Sequence, residues 1–264
     1  MVRFALATSI FACALLGPET SDAAGAVLPP NEKPAPAFVD VRMAVAITPA
    51  GSTRWTEVTV PASTPVMWLV PVRPGAAVDW APHRWLDAVD DATALRVLPP
   101  SSYPSCPMRS TPEKAAPWTR PRPAQPAPAL AVHATADSAR AHFSERGYRA
   151  SPALSARLSE LYAGGWNLVA LELPSSPSEL SSGTLRVSDD GGAVLPLALA
   201  GDSSTRVTVF AIGAGVATVS GARDVDRRAL RWGPGGSNFV AWRRALIEGG
   251  SGGTWLCSPA LTGA

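Results

Sequence analysis

In the stretch FVDVRMAVAITPAGSTRWTEVTV, Val39, Val41, Met43, Val45 and Ile47 fall on alternate positions, Pro49-Ala50-Gly51 intervenes, and a second alternating run passes through Trp55, Val58 and Val60. Alternation with period two marks a strand buried on one face, because successive side chains leave the pleat on opposite sides. The pattern predicts a half-buried hairpin, followed by a third strand over Val66–Val72. Pro71 sits near the end of that run, where a residue without an N–H is tolerated best.

The spacing changes after Trp80. Trp85, Leu86, Val89 and Ala92 recur at helical intervals, which predicts a short amphipathic helix with Asp87, Asp90 and Asp91 turned away from its apolar side. The run VMWLVPVRPGAAVDW, residues 66–80, is then expected to be a core strand and its exit loop packed on that helix. From Pro99 to Pro128 periodicity vanishes, and ten prolines among Ser, Arg and Ala predict a linker or a long surface loop.

Downstream, Asp137 or Ser138 is placed to cap a helix presenting Ala139 and Phe143, with Gly147 ending it. Ser151-Pro152 predicts an N-cap followed by a proline at the first helical position, where the missing N–H is harmless. Leu154, Leu158, Leu161 and Tyr162 form the apolar side, Gly164-Gly165 end the helix, and a strand follows from Trp166 to Leu173. The last third alternates again in GTLRVSDDGGAVLPLALAG and TRVTVFAIGAGVATVSG, with a turn at Asp189-Asp190-Gly191-Gly192. A helix bearing Phe239, Trp242 and Leu246 closes the pattern. The expected class is α+β, antiparallel sheet with short helices inserted. Residues 27–98 and 129–264 are expected to build one composite domain around the 99–128 excursion.

The first 26 residues stand apart. Arg3, an apolar run from Phe4 to Leu16, and small residues at Ala24-Gly25-Ala26 form the pattern of a cleavable signal peptide, with the cut expected after Ala26. The apolar run is shorter than the roughly 20 residues a membrane-spanning helix needs, so no transmembrane span is expected in the mature chain. A secreted or periplasmic location follows. Cys13 lies inside the apolar run and reads as one of its members. Two cysteines then remain, Cys106 and Cys257, and an oxidising compartment makes them candidates for a disulfide.

Charge alters little. The chain carries +2, and losing Arg3, Glu19 and Asp22 with the signal leaves the remainder at +3. No run of Lys and Arg could neutralise a phosphate backbone, so no nucleic acid partner is expected.

Catalytic and metal patterns are sparse. Gly249-Gly250-Ser251-Gly252-Gly253 fits the string of a nucleophile elbow, but a helix precedes it where the elbow needs a strand. Gly233–Asn238 precedes a helix and lacks the lysine of a phosphate loop, so it reads as a cap and turn. His83, His133 and His142 have no zinc spacing. Asp224 and Asp226 offer far fewer oxygens than calcium takes. No catalytic residue, metal ligand or cofactor is therefore assigned. Nine tryptophans are many for 264 residues. Trp68, Trp80 and Trp85 serve either as core or, if exposed together, as a platform for a glycan or peptide.

Taken in order, MWLVPV, WLDAVDDATA, the helical pair SARAHFSERGYRASPALSARLSELYAGGWNLVALEL and the strand AVLPLALAG resemble the bacterial domain-of-unknown-function family 2330. The matching features are Met67 to Val72, Trp85 to Thr93, Gly147-Tyr148, Tyr162 to Leu173 and Leu195-Pro196-Leu197. The chain departs from that pattern in lacking paired cysteines just after the signal. The resemblance implies an extracytoplasmic location and brings no catalytic residues with it. The expected function is a non-enzymatic binding or scaffold protein with an envelope protein or glycan as partner. The alternatives are an extracytoplasmic hydrolase using Ser251 or the pair Asp90/Asp91, and carbohydrate binding through the tryptophans.

Overall fold

The computed structural model describes residues 25–30, 36, 38–61, 63–82, 84–93, 128–176, 179–191, 206–213, 223–224, 227–233, 236–248 and 256–257. The chain opens with β1 (Ala26–Leu28), β2 (Asp40–Thr48), β3 (Gly51–Pro61), β4 (Val66–Val72), β5 (Ala77–Trp80) and α1 (Trp85–Thr93). It continues with β6 (Leu130–His133), α2 (Ala136–Glu145), α3 (Pro152–Ala163), β7 (Asn167–Leu173), β8 (Glu179–Ser181), β9 (Leu185–Asp189) and β10 (Arg206–Ile212). Then come β11 (Arg223–Asp224), a 3-10 turn, β12 (Trp232–Gly233), β13 (Gly236–Ser237), α4 (Phe239–Glu248) and β14 (Leu256–Cys257).

Two sheets carry the fold. One has the order β1-β4-β7-β6 and is antiparallel throughout. The other has the order β10-β2-β3-β9-β5, with β8 also pairing β3. The class is thus α+β with mostly antiparallel sheets and short helices between them. Two pairings among the described residues depart from the antiparallel expectation: the short β11 runs parallel to β14, and β10 runs parallel to β2, from Arg206 opposite Asp40 to Ile212 opposite Ala46. The chain leaves β9 near one side of the sheet and returns at the far edge, and such a crossover permits a parallel neighbour where a hairpin would not.

The sheets face each other. Val41, Met43, Val58 and Val60 from the larger sheet share a core with Trp68, Val70, Val169 and Leu171 from the smaller. The back of the smaller sheet, through Met67, Leu69, Leu168 and Ala170, packs on Ala139 and Phe143 of α2 and Leu158 of α3. On the back of the larger sheet, Ala44 and Phe210 receive Leu86 of α1. The order of layers is helix, sheet, sheet, helix. Both faces of β4 are covered, so all seven of its residues are buried and its sequence shows no alternation. This corrects the expectation that β4 packs on α1: the two lie on opposite sides of the larger sheet. Strands from both sides of the 99–128 stretch share each sheet, and Pro128 at its end accepts a hydrogen bond from Trp80 Nε1 at 3.1 Å.

Local signals in the sequence reappear with two changes. Ser151 caps α3, its side chain accepting from Leu154 N, with Pro152 in the first turn. The cap of α2 is Thr135, whose hydroxyl accepts from Ser138 N, and not Asp137 or Ser138. The acidic residues of α1 are not all turned outward. Asp90 is 1 % exposed, and Asp87 accepts from Arg42 Nη2 at 2.8 Å, because the fully buried Arg42 rises from the sheet beneath the helix and demands a counter-charge.

At the N-terminal edge, Ala26 pairs with Leu69, and Gly25 before it is buried at φ +85°. A Cβ there would stand 1.8 Å from the Leu69 carbonyl oxygen, so only glycine fits. Residues 1–24, the stretch 99–127, Cys106 and Ser251 lie outside the described residues.

Candidate functional site

Inward-facing positions at one end of the larger sheet run in register across three strands: Val45 lies opposite Arg54, Arg54 opposite Val187, and Ser52 opposite Asp189. The alternation that fills the middle of the sandwich with Val41, Met43 and Val58 thus places a guanidinium where the sheets part. Pro71 and Val72 at the end of β4, Arg73 just beyond it, and Trp166 just before β7 close the other side of a small cleft.

Arg54 is 8 % exposed. Its Nη2 donates to the carbonyl oxygen of Pro71 at 3.1 Å, bridging the two sheets. Its Nε is buried and has no hydrogen-bond partner among the described residues. Burial pushes this guanidinium down to about 10, and the charge of Asp189 opposes part of that shift. Asp189 is itself engaged: one carboxylate oxygen accepts from Ser52 Oγ at 3.4 Å and from Gly191 N at 2.9 Å. Arg73 lies with its guanidinium carbon 5.8 Å from the centre of the Trp166 ring and extends against Gly191. The cleft therefore combines two guanidinium groups, one carboxylate, a hydroxyl and an aromatic ring over an aliphatic floor. The enclosed space is about 10 Å³, room for one small polar group.

Close approach of the backbone helps form the cleft. Gly51, the first residue of β3, has φ +144°, and a Cβ on it would stand 2.3 Å from the carbonyl oxygen of Asp189. The end of β9 can lie this near the hairpin only because that position has no side chain.

The tryptophans singled out by composition do not share a surface. Trp68 is 0 % exposed between the sheets, so it has no ring face open to a ligand. Trp80 is half-buried and packs on the same core. Trp85 lies beyond the larger sheet, stacked on Trp55 with ring centres 4.2 Å apart. Asp90 is buried against the sheet while Asp91 is exposed, so the two carboxylates do not line one cleft. Asp224 and Cys257 are neighbours across β11 and β14.

A second polar cluster sits under α2. His133 Nδ1 lies 3.0 Å from Ser138 Oγ, and the His133 and His142 rings are 4.7 Å apart. Burial, and then each ring's cationic neighbour, lower both histidines from their ordinary value: His142 acts on His133, and Arg146 on His142, while Glu145 and Glu172 oppose the shift of His142. Tyr162 donates to the His133 carbonyl oxygen at 3.5 Å, and burial pushes its hydroxyl up to about 12. Tyr148 and Arg146 both donate to Glu172. A serine beside a histidine is half of a nucleophilic triad, but the other half is missing here: His133 Nε2 is buried and has no partner among the described residues, where a triad carries its orienting carboxylate. Among the described residues no group of three or more His, Cys, Asp and Glu side chains could hold a metal ion.

Sequence reasoning missed Arg54, Arg73 and Trp166 as a group. The available signal was Arg54 itself, an arginine on the inward phase of an alternating strand. Comparison of the chain with protein-family models, with functionally described proteins and with solved structures finds no match.

Proposed function

We propose that this chain is an extracytoplasmic, non-catalytic binding protein whose ligand enters the cleft at the end of the sandwich. The observation that carries the reading is Arg54, a guanidinium held between two sheets whose Nε has no hydrogen-bond partner among the described residues and which, unlike the similarly unpartnered Arg42 Nε and Nη1, belongs to a residue lining the cleft. A buried polar group without a partner costs stability, and a residue that costs stability in a core is accounted for most simply by a ligand that completes its bonding. The absence of a complete nucleophile, base and acid set among the described residues supports binding over turnover. No helix among the described residues is long and apolar enough to cross a membrane.

The location rests on the N-terminal signal pattern and on the resemblance to family 2330. The packing of Gly25 and the pairing of Ala26 argue for a signal cut on the N-terminal side of Gly25, because a cut after Ala26 would remove the start of β1 and leave a charged amino group on Val27, which is 5 % exposed. Ser21, Ala23 and Ala24 supply the small residues such a cut needs. Cys106 and Cys257 are the candidate disulfide of the exported form.

The test is a thermal-shift screen of the exported chain against anionic, neutral and cationic small molecules, with ester, glycoside and peptide substrates assayed in parallel. The expected result is stabilisation by anions, abolished by Arg73→Gln, without turnover. Turnover on any of the three substrate classes, or stabilisation that Arg73→Gln leaves intact, contradicts the proposal.

A further inference from the structure

We infer that α2 is an acid-released cover: in mildly acidic surroundings His133 and His142 take up protons, α2 leaves its seat on β6 and α3, and the apolar back of the smaller sheet opens to solvent. The cleft beside Arg54 plays no part in it.

The seat is built around one buried ring. His133, the last residue of β6, is 7 % exposed. Ser138 and His142 stand one helical turn apart on α2 and project from the same side of it. Both meet the His133 ring: Ser138 Oγ lies 3.0 Å from His133 Nδ1, and the two imidazole centres are 4.7 Å apart. Whichever tautomer the neutral ring adopts, the imidazolium carries an N–H on Nε2. That atom is buried and has no acceptor among the described residues. A charged donor left without a partner is among the costliest groups to bury.

Charge adds to that cost. Two imidazolium rings at this separation repel each other most where little water intervenes. Ser138 is the third residue of α2, so His133 also faces the positive end of the helix dipole. Around the pair, Arg146 at the end of α2 opposes a proton on His142, whereas Glu145 of α2 and Glu172 of β7 favour one. Glu172 is shared, accepting from Arg146 and Tyr148. Tyr162 of α3 donates to the His133 carbonyl and, pushed up to about 12 by burial, keeps its proton throughout. Asp137 and Arg140 are exposed and paired with each other. Burial is the largest influence on both histidines and lowers both. The rings therefore hold protons more tightly once they reach water, so acid favours release from about pH 6.5 downward.

Off its seat, α2 does not persist as a helix. It has 10 residues, fewer than the roughly 12 to 15 that an isolated helix needs to be even marginally stable. Its downstream end is held separately: Gly147 turns the chain at φ +79°, and Tyr148 pairs with Pro30 and donates to Glu172. Upstream, His133 pairs with Leu168 in the sheet. The helix can thus melt between two anchored ends. Its loss uncovers Met67, Leu69, Leu168 and Ala170, the layer that Ala139 and Phe143 now cover.

The experiment is hydrogen–deuterium exchange of the exported chain, read by mass spectrometry from about pH 7.5 to about pH 4.5, a range that spans the ordinary histidine value. Rates are corrected for the intrinsic pH dependence of exchange, and Nile red, an uncharged probe, reports apolar surface in parallel. The protection of Ala136–Glu145 is expected to fall about tenfold or more, a factor of ten for each unit by which a ring is lowered, while Asn167–Leu173 keeps its protection and Nile red brightens. His142→Gln removes one of the two charges and leaves His133 its bond to Ser138, so release should move to lower pH. Protection of α2 that persists to the acid end of the range overturns the inference. Loss of protection in α2 and β7 together also overturns it, in favour of global acid unfolding. Release at an unchanged pH in His142→Gln overturns the assignment to the histidine pair.

Discussion

Arg54 is the residue on which structure and proposed function meet. Its guanidinium is taken from water into the end of a hydrophobic sandwich with one carbonyl bond and a carboxylate nearby. Because its pKa is lower in the folded chain than in the unfolded one, the unfolded chain holds its proton more tightly, so the burial cost is fully present at neutral pH and is relieved only as pH rises above about 10. An apolar residue of similar length removes that cost along with the Pro71 bond. Arg54→Met is therefore expected to keep stability within about 1 kcal/mol of the parent in urea denaturation, while abolishing ligand binding. A loss of several kcal/mol would make Arg54 a pin for the sheets. The histidine pair gives a second prediction. His133 and His142 both titrate below their ordinary value in the folded chain, so the unfolded chain takes up protons first. Stability should fall as pH drops below about 6.5, the unperturbed histidine value, and level off once pH is below the lowered values. His142→Ala should flatten that slope in melts recorded across the range.

Among the elements, α1 and β1 are attached in different ways. Beneath α1, Arg42 links Asp87 at 2.8 Å with Glu57 at 3.8 Å, and Glu57 also accepts from Ser181 at 2.6 Å and Thr184 at 3.1 Å. This buried network ties helix, hairpin and the β8–β9 segment together. Removing one member strands the rest, so Glu57→Ala should cost about 3 kcal/mol in chemical denaturation, against about 1 kcal/mol for deleting the α2 cap with Thr135→Ala. Equal costs would show that the network contributes no more than one cap. β1 depends on backbone contact, and Gly25→Ala should destabilise it because the new Cβ meets the Leu69 carbonyl. Element types were legible where the residue types alternate or cap: the β2–β3 hairpin alternates apolar with polar or small residues even though both faces of Asp40–Val45 are buried, and α3 announces itself through Ser151-Pro152 and Gly164-Gly165. β1, β5, β6 and β8 were not legible, being three or four residues each, too short for any period to register. The charged face of α1 misled for a physical reason: acidic residues normally face water, and only the sheet reveals that Arg42 lies under them.

For the whole molecule, the class followed from strand alternation and capped helices, but the four-layer order did not. Which strands face which, and that Arg54, Arg73, Trp166 and Asp189 meet at one end, depends on pairings between residues more than a hundred positions apart, such as Ser52 with Asp189. No local pattern carries that information. The tryptophans stood out by number, yet among the described ones only Trp68 is fully buried and the others are half-buried, Trp166 at the cleft; what makes the cleft is the placing of its residues and not their number. The account turns on whether that cleft takes a ligand. The most direct measurement follows the Arg54 Nε–Hε resonance by NMR while the anion that stabilises the exported chain most in the thermal-shift screen is added. A saturable shift of that resonance, matched by the Trp166 indole signal, is the expected result. Shifts confined to other arginines, with Arg54 and Trp166 unmoved at saturation, would contradict it.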